Sequence, residues 1–170
     1  DIPHMCYHHD QESKAHCRLC VVEVKGQRKL QTSCTTPVSE GMEVFTDTQK
    51  VYDAQVGILE LMLADHKQNC LSCARSGNCE LQTLCRRFNL LVPDLPDISS
   101  SEPLRVDNPS IVRDPAKCVK CGRCVKTCRD VQGIAALTYS GRSAGFRVTT
   151  AFDLPMAETD CVLCGQCSLV

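Results

Sequence analysis

The chain has 170 residues, 15 of them cysteines, and a formal net charge of −1. This length allows one domain or two to three small ones, and the near-neutral charge gives no broad electrostatic attraction toward nucleic acid. Cysteine density this high is typical of secreted disulfide scaffolds. However, the odd count, the short gaps between cysteines and the lack of an apolar signal-peptide core favour metal binding in a reducing, cytoplasmic setting. No apolar run is long enough to predict a membrane span.

Residues 1–47 are predicted to be rich in strands. The stretches "LCVVEV" and "RKLQTSC" alternate around "KGQ", which is typical of a hairpin with glycine in its turn. A third strand is predicted in "MEVFT". We interpret this segment as the first of three small domains.

Residues 48–100 change to a helical pattern that follows the polar "TDT". Apolar residues recur there with helical spacing at Val51, Val56, Leu59 and Leu63. A shorter helix is predicted over "NCELQTLCRRF", with Asn78 as its N-cap. The stretch "VPDLPDISSSEP" is typical of a linker. Residues 101–170 form the last predicted domain, with a hairpin in "IAALTYSGRSAGFRVTT".

The first cysteine group has the spacing C-x10-C-x2-C-x13-C and consists of Cys6, Cys17, Cys20 and Cys34. Four thiolates suit a [2Fe–2S] cluster, and plant-type ferredoxins have a related spacing. A structural zinc site is the alternative, because tetrahedral sulfur sites suit either metal. A Rieske centre is disfavoured, since two of its ligands are histidines. The nearby His8, His9 and His16 are interpreted as exposed loop residues.

The second group lies in "HKQNCLSCARSGNC" and offers three thiolates, from Cys70, Cys73 and Cys79. Either a cubane cluster or a tetrahedral zinc needs a fourth ligand. We expect His66 to supply it, because imidazole is a common metal ligand and His66 stands four residues before the first cysteine. Cys85 is the alternative, but six residues beyond Cys79 it is expected to lie too far away and to be a buried small hydrophobic residue.

The third group is a repeat. "CVKCGRCVKTC" carries Cys118, Cys121, Cys124 and Cys128, and "CVLCGQCSLV" carries Cys161, Cys164 and Cys167. In two-cluster bacterial ferredoxins the fourth cysteine of each run binds the other cluster. Cys128 is therefore assigned to the second run, and the fourth ligand of the first run is expected beyond Val170. Four clusters need about sixteen ligands, and this chain supplies fifteen.

Taken together, the three groups resemble the amino-terminal iron–sulfur region of an [FeFe] hydrogenase catalytic subunit of the multi-subunit NAD(P)-linked type. The segments that carry the resemblance include "DIPHMCYH", "CRLCVVEV", "GNCELQ" and "PSIVRDPAKCVKCGRCVKTCRDVQGI". Similar modules occur in the alpha subunit of NAD-dependent formate dehydrogenase and in the iron–sulfur large subunit of complex I.

The resemblance implies a fold of the α+β class built from three modules. The first is a ubiquitin-like (β-grasp) [2Fe–2S] ferredoxin, the second a helical domain with a [4Fe–4S] cluster on one histidine and three cysteines, and the third a two-cluster ferredoxin-like domain. One [2Fe–2S] and three [4Fe–4S] clusters are thus expected. The family's first hairpin and helix are expected before Asp1 and its active-site domain after Val170, so the chain is interpreted as a fragment.

The resemblance also implies an electron relay with no catalytic residues of its own. The expected partners are a flavoprotein subunit that oxidises NAD(P)H and a small [2Fe–2S] subunit, or a ferredoxin, together with the hydrogen-converting domain of the same polypeptide. A zinc-stapled scaffold is the remote alternative. Five basic residues lie close to the cysteines in sequence: Arg18, Lys120, Arg123, Lys126 and Arg129. They are expected to offset cluster charge, to dock an acidic ferredoxin, or to be ordinary solvated surface.

Overall fold

A computed structural model describes residues 1–170, and its first element is a small antiparallel sheet. The central strand β1 (Val21–Val24) pairs with β2 (Gln31–Thr32) on one side and with β3 (Val44–Phe45) on the other. The predicted turn forms as a tight reversal in which the amide of Gln27 donates to the carbonyl of Val24 at 2.9 Å. All three predicted strands are present, but each has only two to four residues.

The long helix α1 (Gln49–Ala64) packs against this sheet. Thr48 caps it, since its side-chain oxygen accepts a hydrogen bond from the amide of Val51. The predicted apolar face is buried at Val51, Leu59 and Leu63. The buried Gln55 on the same helix donates to the carbonyl of Val21 at 3.2 Å, which ties α1 to β1.

The second helix, α2 (Glu80–Arg87), begins one residue later than predicted. Its N-cap is Cys79, not Asn78, because the backbone of Cys79 is still extended. The helix and the first segment share one hydrophobic core, composed of Met5, Cys6, Cys17, Leu19, Leu59, Leu63, Leu81, Leu84, Cys85 and Phe88. The first two predicted domains therefore pack as one body, although their limits remain predictions.

The predicted linker has no helix or strand and is held to α1 where the amide of Ile98 donates to the carbonyl of Ala64 at 2.8 Å. Beyond it come the one-turn helix α3 (Arg123–Lys126), the predicted hairpin of β4 (Thr138–Ser140) and β5 (Arg147–Thr149), and the one-turn helix α4 (Gln166–Leu169). A second small core packs around Ile111, Val125, Leu137 and Met156. No helix in this structure has both the length and the apolar character needed to cross a bilayer.

Candidate metal centres

The first cysteine group is assembled in the shared core. Cys6, Cys17 and Cys20 are buried and Cys34 is half-buried. Backbone amides point at the sulfurs, since the amide of Cys17 donates to Cys6 Sγ at 3.3 Å and that of Leu19 donates to Cys17 Sγ at 3.5 Å. The loop can turn its amides inward because Ala15 and Arg18 adopt positive φ. Amide donors of this kind stabilise thiolates and tune cluster potentials.

The four sulfurs of this group interact with one another. The Cys17 thiol donates a hydrogen bond to Cys6, which lowers the pKa of Cys6 to about 5, and the same contact raises the pKa of Cys17. Burial and the hydrogen bond with Cys20 raise the pKa of Cys34 to about 11. Cys6 thus contacts Cys17, and Cys20 contacts Cys34, within one group of four thiols.

The second group surrounds a cavity of about 400 Å³. His66 follows α1 directly, Cys70 opens a short turn and Cys79 caps α2, so three elements converge on the cavity. The Nδ1 atom of His66 is buried and has no hydrogen-bond partner. Burial lowers the pKa of His66, which favours the neutral imidazole that a metal requires. These residues fit a metal cluster, because the cavity presents three thiols and an unpartnered nitrogen.

Cys85 lies closer to this cavity than its sequence position suggested. It belongs to the hydrophobic core, as predicted, but it also lines the cavity together with His66 and the three clustered cysteines. Burial raises its pKa to about 11, and the nearby Cys79 and Cys70 add to the shift. Cys85 therefore shares the wall of this cavity with the other three cysteines, and the expectation that it lies too far away to bind the cluster stays a prediction. Its role as a ligand or a packing residue stays a prediction.

The two runs of the third group have the same backbone. Lys120 and Gly122 have φ of 55° and 78°, and Leu163 and Gly165 have φ of 58° and 72°. Each glycine then caps a one-turn helix, α3 or α4. Alternating left-handed residues turn successive amides into a concave surface that suits anions, including iron–sulfur clusters. The sequence repeat is thus a structural repeat.

Cys128 lies with the second run and not with its own. It lines a small cavity of about 20 Å³ together with Cys161, Cys164 and Cys167. Burial raises the pKa of Cys167, and Cys128 is the nearby thiol that contributes most to the rise. Burial raises the pKa of Cys124 to about 12, with contributions from Cys121 and Cys118. The grouping matches the exchange predicted from the spacing, whereas ligation itself is not tested by it.

The spacing of the sulfurs does not suit single ions. Thiolates on one Zn²⁺ at about 2.3 Å would have their sulfurs about 3.8 Å apart. No three of the cysteine sulfurs lie within 4.8 Å of one another, and the one compact set of donors is His8, His9 and Asp10 on the surface. The cysteine groups are therefore more open than a mononuclear zinc site. Of the three histidines predicted to be exposed, His9 and His16 are exposed and His8 is half-buried.

The basic residues near the cysteines fall into two classes. Arg18 and Arg129 are exposed, and Lys120 is half-buried in an ion pair with Asp65. Arg123 and Lys126 are buried, with exposed fractions of 8% and 3%, so neither is solvated surface nor part of a docking face. Arg123 binds Glu80 of α2 through two hydrogen bonds of 2.7 and 2.9 Å. No local pattern could have predicted this contact, because its partners are far apart in sequence.

Two parts of the chain match models of iron–sulfur families. Residues 1–49 match the model of a 2Fe-2S iron–sulfur cluster binding domain, and residues 55–92 match that of the NADH-ubiquinone oxidoreductase-G iron–sulfur binding region. Among curated proteins, NADP-reducing hydrogenase subunit HndD of Solidesulfovibrio fructosivorans is 42% identical over 175 residues, covering 100% of this chain and 30% of the relative. An NADH-quinone oxidoreductase subunit of Rickettsia prowazekii is 32% identical, covering 88% of this chain and 22% of the relative.

A solved structure shares the fold. The crystal structure of an NAD+-reducing [NiFe]-hydrogenase in the H2-reduced state has a chain that superposes with a TM-score of 0.87 at 28% sequence identity. The match covers 98% of this chain and 69% of that one. The present chain thus spans less than a third of the curated relatives that it matches but most of the length of a subunit in a solved complex.

Proposed function

Since the chain belongs to the iron–sulfur electron-transfer region shared by subunits of NADP-reducing hydrogenase and NADH-quinone oxidoreductase, we propose that it relays electrons in an NAD(P)-linked [FeFe] hydrogenase. One end of the relay would accept electrons from, or return them to, a flavoprotein that oxidises NAD(P)H, or a ferredoxin. The other end would serve a hydrogen-converting active site. The observation that carries this proposal is the convergence of fourteen cysteines and His66 into four groups.

The proposed cofactors are one [2Fe–2S] and three [4Fe–4S] clusters. The [2Fe–2S] cluster would be held in a β-grasp ferredoxin module by Cys6, Cys17, Cys20 and Cys34. A helical module would hold the first [4Fe–4S] cluster through His66, Cys70, Cys73 and Cys79. In a ferredoxin-like module, one cluster would use Cys118, Cys121 and Cys124, and the other Cys128, Cys161, Cys164 and Cys167. The first two assignments are supported by the two family models, which cover those residues.

When bound, such clusters supply reversible one-electron transfer, and the protein sets their environment. Here the buried first loop would exclude water, and the amides of Cys17 and Leu19 would donate to sulfur. His66 would bring no negative charge to its site, unlike a thiolate. It should therefore give that site a higher potential than four cysteines would, because less negative charge opposes reduction.

The hydrogenase parent is favoured over two alternatives, a subunit of NADH-quinone oxidoreductase and one of formate dehydrogenase. The identity of 42% to the NADP-reducing hydrogenase subunit exceeds the 31–32% found for NADPH-Fe(3+) oxidoreductase and NADH-quinone oxidoreductase subunits. The [NiFe] structure indicates that this fold also serves a different hydrogen-converting metal site. Reduction of the intact parent complex distinguishes these parents. In a hydrogenase, hydrogen and NAD(P)H should each reduce the clusters. Reduction by NADH but not by hydrogen would instead favour the NADH-quinone parent.

The ligand set of the second site is tested by paired variants. Replacing His66 by cysteine should preserve the cluster and lower its midpoint potential, because a thiolate adds negative charge. Replacing Cys85 by alanine should leave the spectrum unchanged and lower stability by roughly 1 kcal/mol through lost packing. Electron paramagnetic resonance under a controlled potential measures both. Loss of this cluster in the Cys85→Ala variant, with retention in His66→Ala, would assign the fourth ligand to Cys85.

A further inference from the structure

The side chain of Lys126 is a buried cation that has no carboxylate partner. It is 3% exposed, and its ammonium donates to the carbonyl oxygen of Cys6 at 3.0 Å, without forming any ion pair with an acidic side chain. A buried charge that lacks an opposite charge is strongly unfavourable. The other lysine of this loop, Lys120, is paired with Asp65. Lys126 therefore needs a negative charge from another source.

The hydrogen bond to Cys6 points to the first cysteine group as that source. It places the ammonium against the backbone of a predicted ligand that lies 120 residues away in sequence. The position of Lys126 on α3 explains the direction of its side chain. Cys124 stands two positions before Lys126 in α3, which is about half a helical turn, so Lys126 leaves the side of the helix opposite Cys124.

The contact does not depend on Lys126 alone. Gln11 is also buried, and its Nε2 donates to the carbonyl of Arg123 at 3.0 Å and to Thr127 Oγ1 at 2.6 Å. The loop that carries Cys6 is thus docked on α3 at two places. Removal of the lysine charge should leave the docking through Gln11 in place, which allows charge to be tested apart from structure.

We propose that Lys126 is the electrostatic partner of the metal centre held by Cys6, Cys17, Cys20 and Cys34, and that it raises the midpoint potential of that centre from within a neighbouring cysteine loop. This inference rests on the proposed function. Reduction adds one negative charge to an iron–sulfur centre, and a fixed cation in a poorly solvated region stabilises the reduced form more than the oxidised form. Lys126 is a positioning residue and not a ligand.

The test is a potentiometric titration of the first centre, followed by electron paramagnetic resonance in the complete parent polypeptide. Replacing Lys126 by methionine should shift the midpoint potential of the first centre to a lower value. In the same variant, this shift should be larger than the shifts in midpoint potential of the two centres bound by Cys124 and by Cys128. Lys126→Arg retains the charge and should stay near the parent value. Lys14→Met is the matched control, because Lys14 lies in the same loop as the first cysteines but is partly exposed and pairs with Glu12 and Asp130.

Each outcome has a defined meaning. An unchanged midpoint in Lys126→Met, or an equal shift in Lys14→Met, would overturn the proposal. If Lys126→Met fails to retain the centre while Lys126→Arg retains it, the positive charge is required and the proposal stands. If both variants lose the centre, the role is steric and the proposal is wrong. If the unaltered protein lacks a [2Fe–2S] signal, the proposed function fails instead.

Discussion

The two copies of the repeated cysteine motif have the same backbone but different surroundings. Both place a left-handed residue and a left-handed glycine around the second cysteine, and both then form a one-turn helix. The first copy is wedged against the rest of the chain, with Arg123, Val125 and Lys126 buried, whereas α4 of the second copy has no buried residue. The cysteine and glycine spacing thus determines the shape of the loop but not its contacts.

The contacts of the first copy come from three cations that the second copy lacks. Lys120, Arg123 and Lys126 correspond to uncharged residues, Leu163, Gln166 and Leu169. Each cation reaches a different part of the chain: Lys120 pairs with Asp65, Arg123 with Glu80, and Lys126 with the carbonyl of Cys6. The two copies therefore share the shape of their loop, while only the first copy connects different parts of the chain.

The largest effect is expected from replacing Cys128, the cysteine that lies with the other run of the repeat. Cys128→Ser should abolish the same cluster signal that Cys161→Ser abolishes, because Cys128 lies with the second run. Cys124→Ser should instead abolish the signal that is lost in Cys118→Ser. Electron paramagnetic resonance of the four variants, recorded side by side after reduction, gives the pairing. Loss of the Cys118-type signal in the Cys128 variant would mean that the runs do not exchange ligands.

The two capping glycines should respond unequally to alanine. Gly165→Ala meets no atom within 4 Å and should lower the free energy of unfolding by about 1–2 kcal/mol through left-handed strain alone. Gly122→Ala has the same strain, but its Cβ would clash with the hydroxyl oxygen of Tyr139, whose ring stacks on His16 and Phe146. Overpacking should add about 1–3 kcal/mol.

Anaerobic thermal unfolding of the two glycine variants measures this difference as a lower midpoint temperature for Gly122→Ala. Equal midpoints would show that Tyr139 moves aside without cost and that the first copy is less tightly enclosed than the structure indicates.

A smaller effect is expected when Arg123 is replaced by glutamine, which is the residue at the equivalent position of the second copy, Gln166. Arg123→Gln removes two charge-assisted hydrogen bonds to Glu80 and should lower the free energy of unfolding by about 1.5–3 kcal/mol. The reverse exchange, Gln166→Arg, affects an exposed position and should change stability by less than about 0.5 kcal/mol. Thermal unfolding of both variants at matched salt concentration compares them. If Arg123→Gln loses no more stability than Gln166→Arg, the Glu80 contact does not stabilise the fold.

Local sequence patterns predicted the helices and strands well, but they could not predict contacts between distant segments. The hairpins, α1 with its polar start at Thr48, and the placement of Cys128 all follow from periodicity or spacing within a short window. The N-cap of α2 was misplaced by one residue because cysteine is not a usual capping residue.

The contacts of Arg123 and Lys126, and the approach of Cys85 to the His66 cavity, depend on how distant segments fold onto one another. In sequence the two cations looked like any charged loop residues. Their burial became evident only when the position of Cys6 and Glu80 relative to α3 was known.

The central claim is that the four cysteine groups hold iron–sulfur clusters and not single metal ions. The most direct measurement is the iron, acid-labile sulfide and zinc content of the complete parent polypeptide, or of its ferredoxin-like segments, after anaerobic purification. One [2Fe–2S] and three [4Fe–4S] clusters predict about 14 iron atoms and about 14 sulfides in addition to the metal of the hydrogen-converting site, with broad visible absorption that bleaches on reduction. A colourless protein that contains zinc at about one ion per cysteine group, and no sulfide, would contradict the account.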